Sequence, residues 1–340
     1  MNKVQIEHLH ADLVAKFSNA VEFDSLRNQK VFLTGASGFI GQWLLCTFAY
    51  LNNEHDFNIT VTASSRNVKN NAIIEHINSN EKFIFEDIDV RYPFDIPLDS
   101  DYIIHLAGTP DRRVHASSPL EVIRTNVDGV ENCLRSATRV ESLKKVLIFT
   151  SGHVHGKQNS IEAKLNYTPF DTLSSFSSYA ESKRLAETIC YIYASQYQIP
   201  LGIVRPYSFI GPLQDLDRPW AINNFIKGAL LNNNIKVIGN PDTKKSFLYP
   251  TDMIYSILCY LISDDTEIPL ELGAHDIVSL HEMAESIARV FGSGVRVKYS
   301  DKERKTTLND FYPREVDENK NKSFEDCLYR SLSWFKITNN

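Results

Sequence analysis

The 340-residue chain predicts an α/β fold with a doubly wound parallel sheet, and three observations carry that reading. An apolar run, Val31-Phe32-Leu33-Thr34, breaks into glycines spaced three apart at Gly35, Gly38 and Gly41 and then into a helical pattern. Apolar stretches of strand length recur through the first two-thirds of the chain, with helical patterns between most of them. A crossover between parallel strands covers one face of the sheet, so such strands are buried on both faces and read as unbroken apolar runs. Beyond Pro206 the pattern loosens, with Gly211-Pro212, Pro219, Gly239-Asn240-Pro241 and Pro250 among short helices, which marks a smaller second domain.

In chain order, residues 5–20 place Ile6, Leu9, Leu13, Val14 and Phe17 on one helical face, followed by a linker through Asp24 and Asn28. The first strand and its glycine turn lead into a helix from Phe39 to Leu51. Strands follow at 59–64, 83–85, 102–106, 145–150 and 201–204. The expected organisation is an N-terminal helical extension over 1–29, a Rossmann dinucleotide-binding domain over 30–205, and a mainly substrate-binding domain over 206–340 that returns some segments to the first. Trp220, Phe225 and Ile226 fall at helical spacing and suit the core of the small domain. Lys144-Lys145 and Lys244-Lys245 read as solvated surface.

Composition narrows the class. Thirty-six basic against 42 acidic side chains leave a net charge of −6, and no basic run interleaves with aromatics, so nucleic acid is not an expected partner. Cys46, Cys133, Cys190, Cys259 and Cys327 are odd in number and lack the paired spacing of a zinc site or a disulfide framework. They read as reduced core thiols. Glu7, His8, His10 and Asp12 interrupt any signal-peptide pattern, and the longest apolar-looking run, 253–262, is too short to span a bilayer. A cytoplasmic protein without a membrane partner is the expectation.

The glycine turn reads as a dinucleotide cradle spanning Gly35, Ser37, Gly38, Phe39, Ile40 and Gly41. Gly35 makes the tight turn, Gly38 leaves room for a pyrophosphate, and Gly41 lets the following helix pack against the sheet with its positive end toward the phosphates. The second strand ends in Ser64, Ser65 and Arg66, where a carboxylate would hold the hydroxyls of an adenosine ribose; this favours NADP within an NAD(P) site. Asp87 and Ile88, after the third strand, suit the adenine end.

Candidate chemistry lies in Ser178-Tyr179-Ala180-Glu181-Ser182-Lys183. Ser178 and Glu181 form a capping-box pattern, so a helix begins here, and Tyr179 and Lys183 share one of its faces. A free tyrosine has a pKa of about 10, and a neighbouring ammonium and an oxidised nicotinamide both favour its phenolate. Tyr179 is then an acid/base, with Lys183 its tuner and a ribose anchor. Ser151, at the carboxyl end of the strand at 145–150, can hold the substrate oxygen whose proton Tyr179 exchanges.

Together with His105-Leu106-Ala107-Gly108, Asn126-Val127-Asp128-Gly129 and Arg205-Pro206-Tyr207-Ser208-Phe209-Ile210-Gly211-Pro212, these motifs resemble the extended short-chain dehydrogenase/reductases, specifically the nucleotide-sugar-modifying epimerase/dehydratase family, over about residues 30–335. The resemblance implies Ser151, Tyr179 and Lys183 as the catalytic trio. It also implies Leu106, Ala107, Gly108 and Pro206 along the cofactor's path and Asn126 in support of the active-site helix. A nucleoside-diphosphate sugar would meet Ser151, Gly152, His153, Ser208 and Lys245, the last standing where the family carries a diphosphate-binding arginine. It further implies a homodimer through the Tyr179 helix and its neighbour, and offers the border of the nucleotide base as the alternative place for Trp220, Phe225 and Ile226.

Departures from the family narrow the reaction. Sugar 4,6-dehydratases of this family carry an aspartate and a glutamate where Gly152 and His153 stand here. His155 replaces a tyrosine, and Ser208 an asparagine beside the sugar. The reading leans to a 4-ketosugar reductase or 4-epimerase, with a dehydratase using His153 as acid/base as the alternative and a non-catalytic dinucleotide-binding module as another. His153 and His155 lack a third ligand at recognisable spacing, so no metal is expected.

Overall fold

The structure, a computed structural model, describes residues 1–68, 71–77, 80–158, 167–265, 269–292, 294–300, 310–313 and 321–338. The chain begins with α1 (Lys3–Phe17) and a 3-10 helix at Val21–Leu26, then alternates β1 (Lys30–Thr34), α2 (Phe39–His55), β2 (Thr60–Ser65), α3 (Ala72–Ile77) and β3 (Phe83–Asp87). There follow β4 (Tyr102–His105), α4 (Arg112–Ser117), α5 (Pro119–Ala137), β5 (Lys145–Phe149), β6 (Lys157–Gln158), β7 (Tyr167–Thr168), α6 (Ser177–Tyr197) and β8 (Leu201–Pro206). The remainder is β9 (Ser208–Phe209), α7 (Ala221–Asn232), β10 (Asn234–Val237), β11 (Lys244–Leu248), α8 (Pro250–Ile262), β12 (Leu270–Leu272), β13 (Ile277–Ser279), α9 (Leu280–Phe291), β14 (Arg296–Tyr299) and α10 (Phe324–Thr338).

Seven strands form one sheet in the order β12-β8-β5-β4-β1-β2-β3, every neighbouring pair parallel. The order reverses between β1 and β4, and a crevice opens beyond the strand ends at such a switch point. Alternate residues feed two cores: Val31, Leu33, Ile104 and Leu147 pack toward α2 and α8, whereas Phe32, Ile103, Val146 and Ile148 pack toward α5 and α6. β12 returns from the C-terminal region to extend the sheet beside β8, while β9, β11 and β13 make a separate small sheet.

Three local readings are corrected. The linker through Asp24 folds as the 3-10 helix at Val21–Leu26, because Phe23 and Leu26 bury completely beneath it. No capping box forms at Ser178: the N-cap is Phe176, two residues earlier, and the Ser178 hydroxyl is buried without a partner. Lys145 is not surface. It is 2% exposed, and its ammonium donates to the carbonyls of Tyr260 (2.8 Å), Ser263 (2.8 Å) and Asp265 (2.6 Å) at the carboxyl end of α8.

The N-terminal helix docks through charge as well as apolar contact. Buried Asp12 accepts hydrogen bonds from Tyr249 and Arg330, and Lys16 pairs with buried Asp252 at 2.8 Å, beside Lys322. These partners sit at the start of α8 and on or just before α10, so α1 braces the segment that follows β11.

Candidate active site

Sterics at the β1–α2 turn fit a pyrophosphate. Gly35 adopts φ +72°, and a Cβ there would lie 2.9 Å from the backbone of Leu106 and Ala107. A Cβ on Gly41 would meet the Gly35 carbonyl at 2.5 Å, so α2 packs hard against the turn. Gly38 caps α2 with only one neighbour within reach of a Cβ, and with Ser37, Phe39 and Ile40 it remains accessible at the positive end of a 17-residue helix.

At the end of β2, the Ser65 hydroxyl is buried without a partner and Arg66 is exposed. Asp87 is exposed and accepts from the Val68 amide at 2.9 Å, while the Ile88 amide donates to the Ser65 carbonyl, also at 2.9 Å. Asp87 and Ile88 therefore fix the turn that presents Ser65 and Arg66. The nearby Asp89 carboxylate is already held by Arg91 at 2.9 and 3.0 Å.

The catalytic candidates converge at the carboxyl ends of β4 and β5. Tyr179 lies in the first turn of α6 and Lys183 one turn on, its ammonium donating to the Phe149 carbonyl at 2.8 Å. Burial pushes the Tyr179 phenol up from its ordinary value, and a hydrogen bond with the Ser151 hydroxyl opposes that rise. Burial pushes Lys183 down to about 8. Asn126 on α5 donates to the Ser182 hydroxyl at 2.9 Å, and its carbonyl oxygen is buried without a partner. A Cβ on Gly108 would stand 3.2 Å from the Lys183 ammonium and 3.5 Å from that Asn126 oxygen, so the bare glycine leaves space between them. A cradle that glycines keep open, together with orphaned polar atoms on Ser65 and Asn126, suits a dinucleotide lying from α2 to α6.

The candidate substrate residues divide. A Cβ on Gly152 would strike the Tyr207 ring at 2.5 Å, so this glycine admits a buried ring. His153 is edge-on to Tyr179 at 6.2 Å between centroids and stacks on Phe311 at 4.1 Å. Burial, reinforced by Lys245, Arg112 and His115, pushes its pKa down to about 3. It is therefore uncharged at neutral pH, and its remaining N–H is a far weaker acid than an imidazolium. The Lys245 ammonium lies 5.5 Å over the Phe311 ring and is pushed down to about 8 by burial and Arg112. Ser208 lies on β9 opposite Phe247, and Pro206 closes β8 opposite Leu272. Phe225 and Ile226 are buried core, with Trp220 packed against them.

Two site residues escaped sequence reasoning. His115 stacks on Tyr179 at 4.7 Å with 14° between the planes, its Nε2 against the Thr109 carbonyl at 2.6 Å. Phe311 stacks on His153 at 4.1 Å with 21° between the planes and meets the Tyr207 ring at 4.8 Å. Neither belongs to a local motif, because each reaches the site only through tertiary packing. Among the described residues no three His, Cys, Asp or Glu side chains are grouped to hold a metal, all five cysteines are free, and no helix is long and apolar enough to cross a membrane.

Comparison with known proteins bears on this arrangement. The profile of the NAD dependent epimerase/dehydratase family matches residues 31–271. UDP-glucuronic acid decarboxylase 1 of Xenopus tropicalis is 26% identical over 300 residues, covering 87% of this chain and 68% of its own. UDP-glucuronic acid decarboxylase 6 of Arabidopsis thaliana is 28% identical over 276 residues, covering 80% and 77%. In fold the chain is similar to UDP-glucuronic acid 4-epimerase from Bacillus cereus, solved with UDP-glucuronic acid and NAD, with a TM-score of 0.71 at 21% identity over 91% of this chain and 100% of that one. With most of its length under that profile and the glycine turn, Ser151, Tyr179 and Lys183 in one crevice, the chain belongs to the NAD dependent epimerase/dehydratase family.

Proposed function

We propose that this protein moves hydride between C4 of a nucleoside-diphosphate sugar and a nicotinamide cofactor, as a 4-ketosugar reductase or a 4-epimerase. The observation that carries the reading is the convergence of Ser151, Tyr179 and Lys183 beside the glycine turn. In the oxidising direction the Tyr179 phenolate takes the proton of the C4 hydroxyl while hydride leaves C4; in the reducing direction the phenol returns that proton to the ketone oxygen. Ser151 holds the same oxygen through its hydroxyl, and Lys183 keeps a positive charge beneath the phenolate. The nicotinamide, when bound, supplies the hydride acceptor and donor. Dehydration would need an acid for the leaving hydroxyl. The positions after Ser151 offer Gly152, filled by Tyr207, and His153, held neutral.

One observation favours a second reading. Lys245 and Arg112 bear on the His153 side of the crevice, offset in part by the Asp310 carboxylate beside Lys245, a setting suited to an acidic sugar. Oxidation at C4 of a sugar carrying a carboxyl on C5 makes a β-keto acid; carbon dioxide leaves as the electrons of its bond to C5 pass to the C4 oxygen, and the enolate so formed takes a proton at C5 from water. The Xenopus and Arabidopsis relatives are decarboxylases of UDP-glucuronic acid. A homodimer goes with either reading, supported by exposed Leu120, Ile123, Leu185, Tyr191 and Ile192 on α5 and α6.

Mass spectrometry after incubation with NAD⁺ or NADPH and a panel of UDP, dTDP, GDP and CDP sugars and their 4-keto forms tests the proposal. A gain of two hydrogens marks reduction and unchanged mass with altered retention marks epimerisation. Loss of carbon dioxide marks the second reading. Loss of water, or no change with any sugar, overturns both.

Ser65 and Arg66 support NADP as the preferred cofactor, since a guanidinium can pair with a ribose phosphate while the neighbouring carboxylates of Asp87 and Asp89 are engaged by the Val68 amide and by Arg91. Arg66→Ala is expected to weaken NADP⁺ binding about tenfold and leave NAD⁺ binding unchanged, as read by titration calorimetry. Equal affinities for both cofactors in the unaltered protein would refute the preference.

A further inference from the structure

We propose that Glu271, on the sheet's terminal strand β12, is a positioning residue that fixes the Ser151 hydroxyl against Tyr179. Its carboxylate joins three groups, each tied to a different side of the serine. His155 Nε2 lies 2.9 Å from Oε1, the Arg205 guanidinium donates to the same oxygen at 3.0 Å, and the Tyr207 hydroxyl donates to Oε2 at 2.7 Å. Burial opposes the charged form of Glu271, but the bonds from His155, Tyr207 and Arg205 outweigh it and hold the carboxyl below its ordinary range.

Each arm ends beside Ser151. The serine hydroxyl accepts from the His153 amide at 3.2 Å and so caps a 3-10 turn over Gly152–His155, whose last residue is the histidine Glu271 holds. The Tyr207 ring fills the space that Gly152 leaves. Arg205 passes the grip on: it donates to Glu187 at 2.9 and 2.7 Å, and Glu187 accepts from the Thr150 hydroxyl at 2.7 Å, immediately before the serine. Glu187 lies one turn beyond Lys183 on α6. The network thus clamps both flanks of Ser151 and references them to the helix carrying Tyr179 and Lys183. A hydroxyl that must meet the substrate oxygen and the phenol together gains from such fixing, since misplacement by about 1 Å can cost a factor of about 100 in rate.

Nothing local in the sequence announces this clamp, because Glu271 lies 116 positions from His155. A cavity of about 360 Å³ opens behind the network between His155, Glu187, Arg205 and Tyr191. Water can therefore reach a group that loses its partner, and a substitution at Glu271 need not unfold the chain.

This inference rests on the proposed C4 chemistry, and the experiment separates the two. Turnover, melting temperature and NAD(P)⁺ affinity are measured for the unaltered enzyme, Ser151→Ala, Glu271→Ala, Glu271→Gln and the double variant Ser151→Ala/Glu271→Ala. Glu271→Ala is expected to lower kcat about 100-fold with KM and cofactor affinity unchanged. It should also move the acid limb of the pH–rate profile upward, because the Ser151 hydrogen bond is what lowers the Tyr179 phenol against burial. Glu271→Gln, whose amide oxygen can still accept from Arg205 while its NH₂ donates to a rotated Tyr207 hydroxyl, should recover most of the rate. In the Ser151→Ala background Glu271→Ala should cost nothing further, since its effect passes through that hydroxyl. An additive loss in the double variant, an unmoved pH profile, or a rate that falls only in step with melting temperature overturns the positioning role. Full activity of Ser151→Ala would instead overturn the C4 chemistry beneath it.

Discussion

Tyr179→Phe is expected to lower turnover roughly 1,000-fold while cofactor affinity stays within a factor of about two. The phenol ring is held by packing that phenylalanine keeps, between His115 stacked at 4.7 Å and His153 edge-on at 6.2 Å, so the loss isolates the hydroxyl. In the cofactor-free protein that hydroxyl is a poor base. Burial raises its pKa above 10, the Ser151 hydrogen bond recovers part of the rise, and Lys183 is itself pushed down to about 8. Phenolate becomes available at neutral pH only when a further positive charge enters the pocket. Tyrosinate absorbance titrated with and without NAD(P)⁺ should therefore show one tyrosine ionising at lower pH in the complex, and Tyr179→Phe should abolish that difference. A variant within tenfold of the parent rate would end the acid/base role.

What the sequence disclosed and what it hid divide by range. The sheet was legible because strands buried on both faces carry continuous apolar runs, and the glycine turn because close backbone approach admits no side chain at Gly35 or Gly41. Tyr179 and Lys183 were legible as a pair because one helical turn sets their spacing. Capping was less so. Ser178 and Glu181 match the pattern yet lie inside α6, whereas Ser279 and Glu282 exchange both reciprocal bonds at the start of α9. The same four-residue signature serves in one place and not the other because the preceding loop decides where the helix begins. His115, Phe311 and Glu271 reach the site through contacts across 64, 158 and 116 positions respectively, the first two measured to Tyr179 and His153 and the third to His155, and no periodicity encodes such a meeting. Lys145 was hidden for the same reason: its neighbour Lys144 is half exposed, and only the arrival of α8 overhead turns the second lysine inward.

Lys145→Met is expected to destabilise the fold by about 3 kcal/mol, at roughly 1 kcal/mol for each of the three carbonyl hydrogen bonds lost. Those carbonyls belong to Tyr260, Ser263 and Asp265, the terminal groups of α8 and the turn after it, where a helix has no partners of its own. Methionine keeps the apolar stem, so lost packing contributes little, but the ammonium's place over the Tyr260 ring, 4.4 Å from its centroid, goes with the charge. Denaturant unfolding measures the difference, and a loss below about 0.5 kcal/mol would mean that Lys145 behaves as the surface residue its sequence suggested. The pH dependence gives an independent check. Burial lowers the folded-state pKa of Lys145 below 10.5, so between that lowered value and 10.5 the unfolded chain binds more protons than the folded one. Stability contributed by this group therefore rises with pH across that window and is level on either side. Tyrosines with raised pKa values act in the opposite sense above 10, but they do so in both proteins, so the gap between parent and Lys145→Met should widen as pH approaches 10.5. A gap that narrows there would show that the ammonium gains more from its carbonyl partners than it loses by leaving water.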